Sequence, residues 1–448
     1  MSTRLKPKLL SVMKTYNKEQ FVKDVIAGLI VAIIALPLSI ALAISSGVSP
    51  EQGLYTAIIA GFFISLLGGS RVQIGGPSAT FMVVVYSVVA AHGTEGLLIT
   101  TILAGIILIL FGLLKLGSVI KYIPYPITVG FTSGIALTIF SSQIKDFFGM
   151  NLGAVPTGFI DKWKLYFASF DQIQWMPFMI GAIALAILII WPKINKKIPA
   201  SLISIIVTTA LVALLKLDVQ TIGTQYTNLS SSFPMPSIPH ITWSKIETLL
   251  SPAFTIAFLC SLESLLSAVV SDGMIGSKHR SNMELVAEGV ANIASGLFGG
   301  MPATGAIART VANIKNGGRT PIAGVVHAIT LLFILLFLMP LVKMIPLATL
   351  AVLIMVSYNM SEWRMFKKLL SAPKSDVVVL LSTFFLTVLF DLTLAISVGM
   401  VLTSFLFMKR MTDVTDIQGI EMNDDDDDLE LLDEELMGHS SLELRINS

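Results

Sequence analysis

Two short segments break an otherwise strongly apolar chain, and they match. The first is Gly75-Gly76-Pro77-Ser78-Ala79-Thr80; the second runs Gly299-Gly300-Met301-Pro302-Ala303-Thr304-Gly305-Ala306-Ile307-Ala308-Arg309-Thr310. Their prolines lie 225 residues apart (302 − 77) in a chain of 448 residues, the spacing of an internal duplication. Hydrocarbon offers no partner to a free backbone amide, so irregular backbone at membrane depth persists only where protein covers it or where it lines a polar cavity. Proline in the first turn of a helix needs no amide partner, and the glycines before it let the chain turn. Each break therefore reads as the start of a short half-helix, with unpaired N–H groups and roughly half a positive charge at its tip. Paired breaks in corresponding halves point to a transporter's binding site, and the ligand that suits two positive helix ends is an anion.

The membrane setting follows from composition. Hydrophobic residues make up 54% of the chain and charged residues only 13%, against about a quarter charged in soluble domains. Six basic residues (Arg4, Lys6, Lys8, Lys14, Lys18, Lys23) precede the first apolar run. No small-residue cleavage pattern ends that run, so no cleaved signal peptide is expected. Cys260 is the single cysteine, which rules out an intrachain disulfide and a cysteine-based metal site. No His-Glu-x-x-His or visible Ser-His-Asp set supports an intramembrane enzyme, and no metal, cofactor or nucleic-acid partner is expected.

Apolar runs long enough to cross about 30 Å of hydrocarbon, with shorter ones where Gly or Pro interrupts, number fourteen. The first seven fall near 25–46, 52–69, 77–91, 96–115, 125–143, 174–191 and 198–215. The second seven fall near 252–272, 283–297, 302–314, 321–341, 346–359, 376–391 and 392–409. The expected organisation is an inner tail (1–24), a first repeat (25–216), an outer linker (217–248), a second repeat (249–410) and an acidic inner tail (411–448). With both termini inside, the inward stretches carry 22 Lys or Arg residues and the outward ones six, the asymmetry the positive-inside rule demands. Seven spans per half make the repeats inverted. The third and tenth segments then approach each other near the midplane, with Ser78 and Thr80 on one side and Thr304 and the amides around Ala306 and Ile307 on the other. The plainer alternative is that Gly, Ala, Ser and Thr here serve close helix packing.

Charged groups inside spans are costly and so are functional candidates. Glu263 sits in mid-span in the eighth segment, with Ser267 one turn on along the same face. A carboxyl group in low dielectric tends to take up a proton, which is what proton coupling requires; a protonated structural glutamate is the alternative. Arg309 follows the second break by two turns. It either attracts the anion and balances Glu263, or snorkels to the inner surface. Asp272 and Asp391 read as interfacial, and His279, beside Lys278 and Arg280, reads as a solvated loop residue.

Longer stretches carry a family resemblance. Ala35-Leu36-Pro37-Leu38-Ser39-Ile40-Ala41-Leu42-Ala43, Gly47-Val48-Ser49-Pro50-Glu51-Gln52-Gly53-Leu54-Tyr55, Gly69-Ser70-Arg71, the Gly76-Pro77 break and Glu263-Ser264-Leu265-Leu266-Ser267 through Asp272-Gly273-Met274 resemble the SulP/SLC26 anion transporter family from about residue 20 to 410. Within it the chain is similar to bacterial C4-dicarboxylic acid transporters of the DauA type, through Asp272 to His279, Ala306 to Arg309 and Tyr358-Asn359-Met360-Ser361-Glu362. The resemblance implies an all-α integral membrane protein of the bacterial inner membrane. It also implies a UraA-type inverted repeat of seven plus seven segments, a core domain moving against a gate domain, and a homodimer. The family's anion site carries over to Leu38, Leu42, Ser78, Ala79, Thr80, Thr304, Gly305, Ala306, Ile307 and Arg309, with Glu263 and Ser267 as the coupling pair. The family's sodium-dependent bicarbonate branch has Asp and Thr at 263 and 267 and Thr at 307, so Glu263, Ser267 and Ile307 favour protons over sodium. The ending at Ser441 to Ser448 resembles the first strand of a STAS domain cut short, preceded by a disordered acidic linker. The expected function is proton-coupled uptake of C4-dicarboxylates such as succinate or fumarate by alternating access. Sulfate or bicarbonate transport by symport or exchange, and an anion channel, stand as alternatives.

Overall fold

The computed structural model of the chain describes residues 5–118, 125–152, 155–156, 158–195, 198–227, 229–390, 398–399, 401–402 and 405. The fourteenth expected segment (392–409) falls almost wholly outside them, as do Asp391 and the acidic tail.

The longer helices are α1 (Lys18–Ser45), α2 (Pro50–Leu67), α3 (Met82–Leu113), α4 (Tyr125–Phe147), α5 (Phe159–Ala168), α6 (Trp175–Ile194), α7 (Ala200–Leu215), α8 (Trp243–Ile275), α9 (Ser281–Leu297), α10 (Ile307–Lys315), α11 (Ile322–Phe337), α12 (Val352–Met360), α13 (Trp363–Leu369) and α14 (Lys374–Leu389). Among the described residues, six helices are long and apolar enough to cross a membrane, and α7 and α11 are shorter apolar helices. Side chains such as Leu29, Ile106, Leu110, Ile329 and Phe333 are exposed on the outer faces, where hydrocarbon rather than water suits them.

Local chemistry sets the helix ends. Asn17 caps α1 by accepting the Gln20 amide at 2.8 Å, and Pro50 opens α2 at a position where its missing N–H costs nothing. Gly276, in the left-handed conformation (φ 64°), ends α8. The third and fourth expected segments form one run, α3, bent where Gly93 leaves helical geometry with φ 65° and ψ −172°. The α5 and α13 helices were not anticipated.

Helices α3 and α9 pack most intimately. Gly105 and Gly289 face each other's backbone so closely that neither has room for a methyl group, the close approach that small residues allow in membranes. Buried Leu42, Leu54, Phe81, Ile99, Leu108, Ile256, Leu285 and Leu331 fill one contiguous core around them.

The two breaks meet. Gly75–Pro77 (β1) and Ala303–Gly305 (β2) pair as a two-stranded antiparallel ribbon, with Gly75 opposite Gly305, Gly76 opposite Thr304 and Pro77 opposite Ala303. This adds a short ribbon to an otherwise helical fold and corrects the position of the prolines. Pro77 lies in a strand and Pro302 just ahead of one, so neither opens a helix; the helical turns begin at Ala79 and Ile307. The reason is that buried backbone without a helix must find another partner, and each break supplies one for the other. Because the strands are antiparallel, the chain leaves the ribbon at opposite ends. Helix α10, nine residues long, spans about 14 Å at 1.5 Å per residue, roughly half the hydrocarbon thickness.

Candidate functional site

The ribbon is held from both halves of the chain. From the first half, the Thr56 hydroxyl accepts the Met301 amide at 2.8 Å and Gln52 Nε2 donates to the Gly299 carbonyl at 2.8 Å. From the second half, Glu284 Oε2 accepts the Ser70 amide at 2.7 Å, Asn313 Nδ2 donates to the Val72 carbonyl at 2.9 Å, and Thr310 Oγ1 accepts the Ile74 amide at 3.1 Å.

Strand β2 has a third neighbour in α9. Asn292 binds both polar groups of Ala303, accepting its N–H and donating to its carbonyl at 2.9 Å each. Glu288 Oε1 accepts the Gly305 amide at 2.8 Å, and its Oε2 takes the Cys260 thiol at 3.3 Å. Glu284, Glu288 and Asn292 are spaced four apart, so they form one polar stripe on α9, and all three are fully buried. Sequence reasoning missed this stripe, although its spacing was visible. It also missed Gln73, whose Nε2 donates to Ser264 Oγ at 2.6 Å, and the buried His327 of α11.

The expected site residues divide by what they touch. Ser78 follows the first strand, and its hydroxyl donates to Glu263, 2.9 Å from Oε1 and 2.8 Å from Oε2. Its oxygen in turn accepts the Thr80 amide at 3.3 Å. Glu263 is half-buried, Ala79 is 7% exposed and Ala306 9%, whereas Ile307 reaches 37%. Leu42 is fully buried and Leu38 half-buried on α1. The Ala306 amide is bonded to the Ile74 carbonyl at 3.0 Å. Among the described residues, the first-turn amides of Ile307, Ala308 and Arg309 have no recorded acceptor, as expected at a helix start.

Five residues are placed differently from expectation. Thr304 does not present its hydroxyl to a ligand; it donates to the Cys260 carbonyl at 3.0 Å and is fully buried. Gly305, too, has its amide committed to Glu288. Ser267 does not meet Glu263 and instead donates to Thr310 Oγ1 at 3.3 Å. Arg309 does not snorkel, and among the described residues it has no carboxylate within ion-pair distance. It is 1% exposed and turns back under the first break, donating to the Pro77 carbonyl at 3.2 Å, Ser39 Oγ at 3.3 Å and the Gly75 carbonyl at 3.5 Å. A methyl on Gly76 would land on its guanidinium. His279 is likewise not a free loop residue, because its Nδ1 lies 2.7 Å from Asp272 Oδ2 and its ring is only 10% exposed.

The assembled site contains a fixed buried cation under the first break and a hydroxyl–carboxyl pair beside it. Unfilled amides stand at the start of α10. Helix-start amides and a buried cation are groups that suit an anion, and a carboxyl group beside them is one that can exchange a proton. Among the described residues no group of three or more His, Cys, Asp or Glu side chains is placed to share a metal ion.

Known proteins share much of the chain's sequence and fold. Residues 21–383 match the sulfate permease family profile. A relative from Bacillus subtilis named "Putative sulfate transporter YvdB" is 42% identical over 91% of this chain and 77% of its own length. The bicarbonate transporter BicA of Picosynechococcus is 32% identical over 91% of this chain and 74% of its own. The solved transmembrane domain of a cyanobacterial BicA superposes with a TM-score of 0.76 at 30% identity, covering 85% of this chain and 98% of that one. With that profile spanning most of the helices and a relative 42% identical over 91% of the chain, this chain belongs to the sulfate permease (SulP/SLC26) family and is a membrane anion transporter, not an enzyme.

Proposed function

We propose that the chain takes up small dianions together with protons, through a seven-plus-seven inverted repeat in which a core domain moves against a gate domain. The observation that carries this reading is the bond between Ser78 and Glu263. A serine hydroxyl has one hydrogen to give. While Glu263 is ionised, that hydrogen is committed to it and the carboxylate repels an incoming anion. Once Glu263 is protonated, the carboxyl group can donate to Ser78 Oγ, the serine hydrogen is released toward the ligand, and the repulsion is gone. Proton and anion then favour each other's binding by the same free energy, as linkage requires. Leu38, Leu42, Ala79, Ala306 and Ile307 shape the apolar walls, and Arg309 holds the first break in position.

C4-dicarboxylates such as succinate and fumarate are the substrates this reading puts first, on the resemblance of the Ala306 to Arg309 and Tyr358 to Glu362 stretches. Sulfate is the second reading, supported by the name of the 42% identical relative. Glu263, Ser267 and Ile307, standing where the sodium-dependent branch that the chain resembles has Asp, Thr and Thr, support protons over sodium. The protein is read as a homodimer of the bacterial inner membrane with both termini inside. Uptake into proteoliposomes, driven by an inward proton gradient and run with succinate, fumarate, sulfate and bicarbonate, tests all of this. Accumulation above equilibrium is expected for at least one dianion. Currents that never exceed the electrochemical gradient would mean a channel, and sodium dependence would remove Glu263 as proton carrier.

A further inference from the structure

Away from the ribbon, a cavity of about 270 Å³ lies between the outer half of α3, the end of α4 and the unanticipated helix α5. It sits on the face that the charge rule assigns to the outside. None of Leu38, Ser78, Glu263 or Ile307 lines it, but Met82 and Val83 do, one turn past Ala79 on the helix that begins at the first break. The cavity therefore lies along the outward continuation of the candidate site.

Its charges do not balance. Lys145, Asp146 and Lys162 all line it, two cationic side chains against one carboxyl group. Lys162 is left over. Among the described residues no carboxylate stands within ion-pair distance of it; Asp161 pairs on the exposed face with Lys164 at 3.3 Å. The Lys162 ammonium instead faces the Tyr86 ring, 6.0 Å from its centroid, and Tyr86 is fixed by donating its hydroxyl to the Val155 carbonyl at 2.9 Å. Burial holds this lysine below its ordinary pKa, so an anion beside it would relieve a real desolvation cost. Aromatic walls from Tyr86, Tyr166 and Tyr226 lower the local dielectric and strengthen such a pairing. The volume approaches the lower end of the roughly 300–1,000 Å³ of small-molecule sites, enough for an oxyanion or a short dicarboxylate.

We propose that this cavity is an outer capture site for the transported anion, with the Lys162 ammonium as the charge that binds it before it reaches the ribbon. The proposal rests on the transport reading above.

The test is uptake of labelled sulfate and of labelled succinate from outside. Lys162→Gln is expected to raise the half-saturating concentration roughly tenfold, the loss of one attractive charge in a partly desolvated site, while leaving the maximal rate near wild type. Lys162→Arg should stay close to wild type. Because the one native cysteine, Cys260, is buried, Lys162→Cys presents a single accessible thiol. Modification with a membrane-impermeant cationic methanethiosulfonate should restore the low half-saturation, and an anionic one should not. Unchanged half-saturation in the Gln variant, or equal effects from both reagents, would overturn the capture site while leaving transport itself intact. Wild-type vesicles that take up neither anion would overturn the transport reading, and the capture site with it.

Discussion

The Glu288 carboxylate accepts the Gly305 backbone amide at 2.8 Å, so a side chain in the middle of one helix determines where the next break can lie. With Asn292 on Ala303 and the Cys260 thiol on the other carboxylate oxygen, α9 acts as a third edge to the ribbon. Glu288→Ala leaves the Gly305 N–H buried without its acceptor, at about 1–3 kcal/mol, while the Cys260 thiol keeps the Ala303 carbonyl at 3.1 Å. The expected outcome is a melting temperature in detergent lowered by several degrees and a loss of uptake. Glu288→Gln keeps an acceptor oxygen and should retain most of the stability. An Ala variant that melts with the wild type would show that Gly305 finds its partner elsewhere.

Glu263→Gln fixes a neutral side chain where the proton carrier is proposed. Uptake driven by a pH jump should fall to the leak level, whereas exchange of internal for external anion should persist, since the amides of α10 are untouched. The comparison is made in the same vesicles with and without a pH gradient. Normal pH-driven uptake in this variant would remove the coupling role.

Gly76 has no space for a side chain because the Arg309 guanidinium occupies it, while Gly273 in α8 has nothing within 4 Å of a would-be methyl group. Gly76→Ala should displace Arg309 from the Pro77 and Gly75 carbonyls and reduce uptake roughly tenfold or more, for which about 1.4 kcal/mol is sufficient. Gly273→Ala should transport normally and gain about 0.4–1 kcal/mol from a less flexible unfolded chain. If the two behave alike in uptake assays, the position of Arg309 is not what matters.

Tyr16, ahead of α1, donates its hydroxyl to the buried Asp24 at 3.1 Å. Burial, and then the Asp24 charge, push its pKa from 10.0 up to about 12. A raised acid pKa means that the native state holds the proton while the unfolded state has lost it. This contribution is therefore complete below pH 10 and disappears as pH rises toward 12. Tyr16→Phe should flatten the alkaline limb of a melting-temperature profile taken across that window. An unchanged limb would assign the alkaline loss to other groups.

Much of this was legible because glycine and proline punctuate an apolar chain strongly. The Gly75 to Thr80 and Gly299 to Thr304 breaks and the spans flanking them follow from local residues, whereas the joining of the third and fourth segments into one run bent at Gly93 does not. Pairing does not. A three-residue strand has no periodicity to read, so the contact between Gly76 and Thr304 emerges only when distant segments meet. Arg309 was visible as a charge, but whether it snorkels or folds back depends on carbonyls contributed by the other half. The α9 stripe of Glu284, Glu288 and Asn292 carried its own signal, four-residue spacing in an otherwise apolar helix. What that spacing does not reveal is the partner, since the amides of Ser70, Ala303 and Gly305 lie on other segments.

The ribbon also limits how the two halves of the gene can drift. Side chains in a strand alternate between faces, so adding or deleting one residue in either break reverses everything beyond it. A change that slips Gly305 from Gly75 must be answered by a matching change 230 positions earlier in the chain (305 − 75). The duplicated halves are thus bound to a shared reading frame of shape, and errors in one are repaired only by compensation in the other.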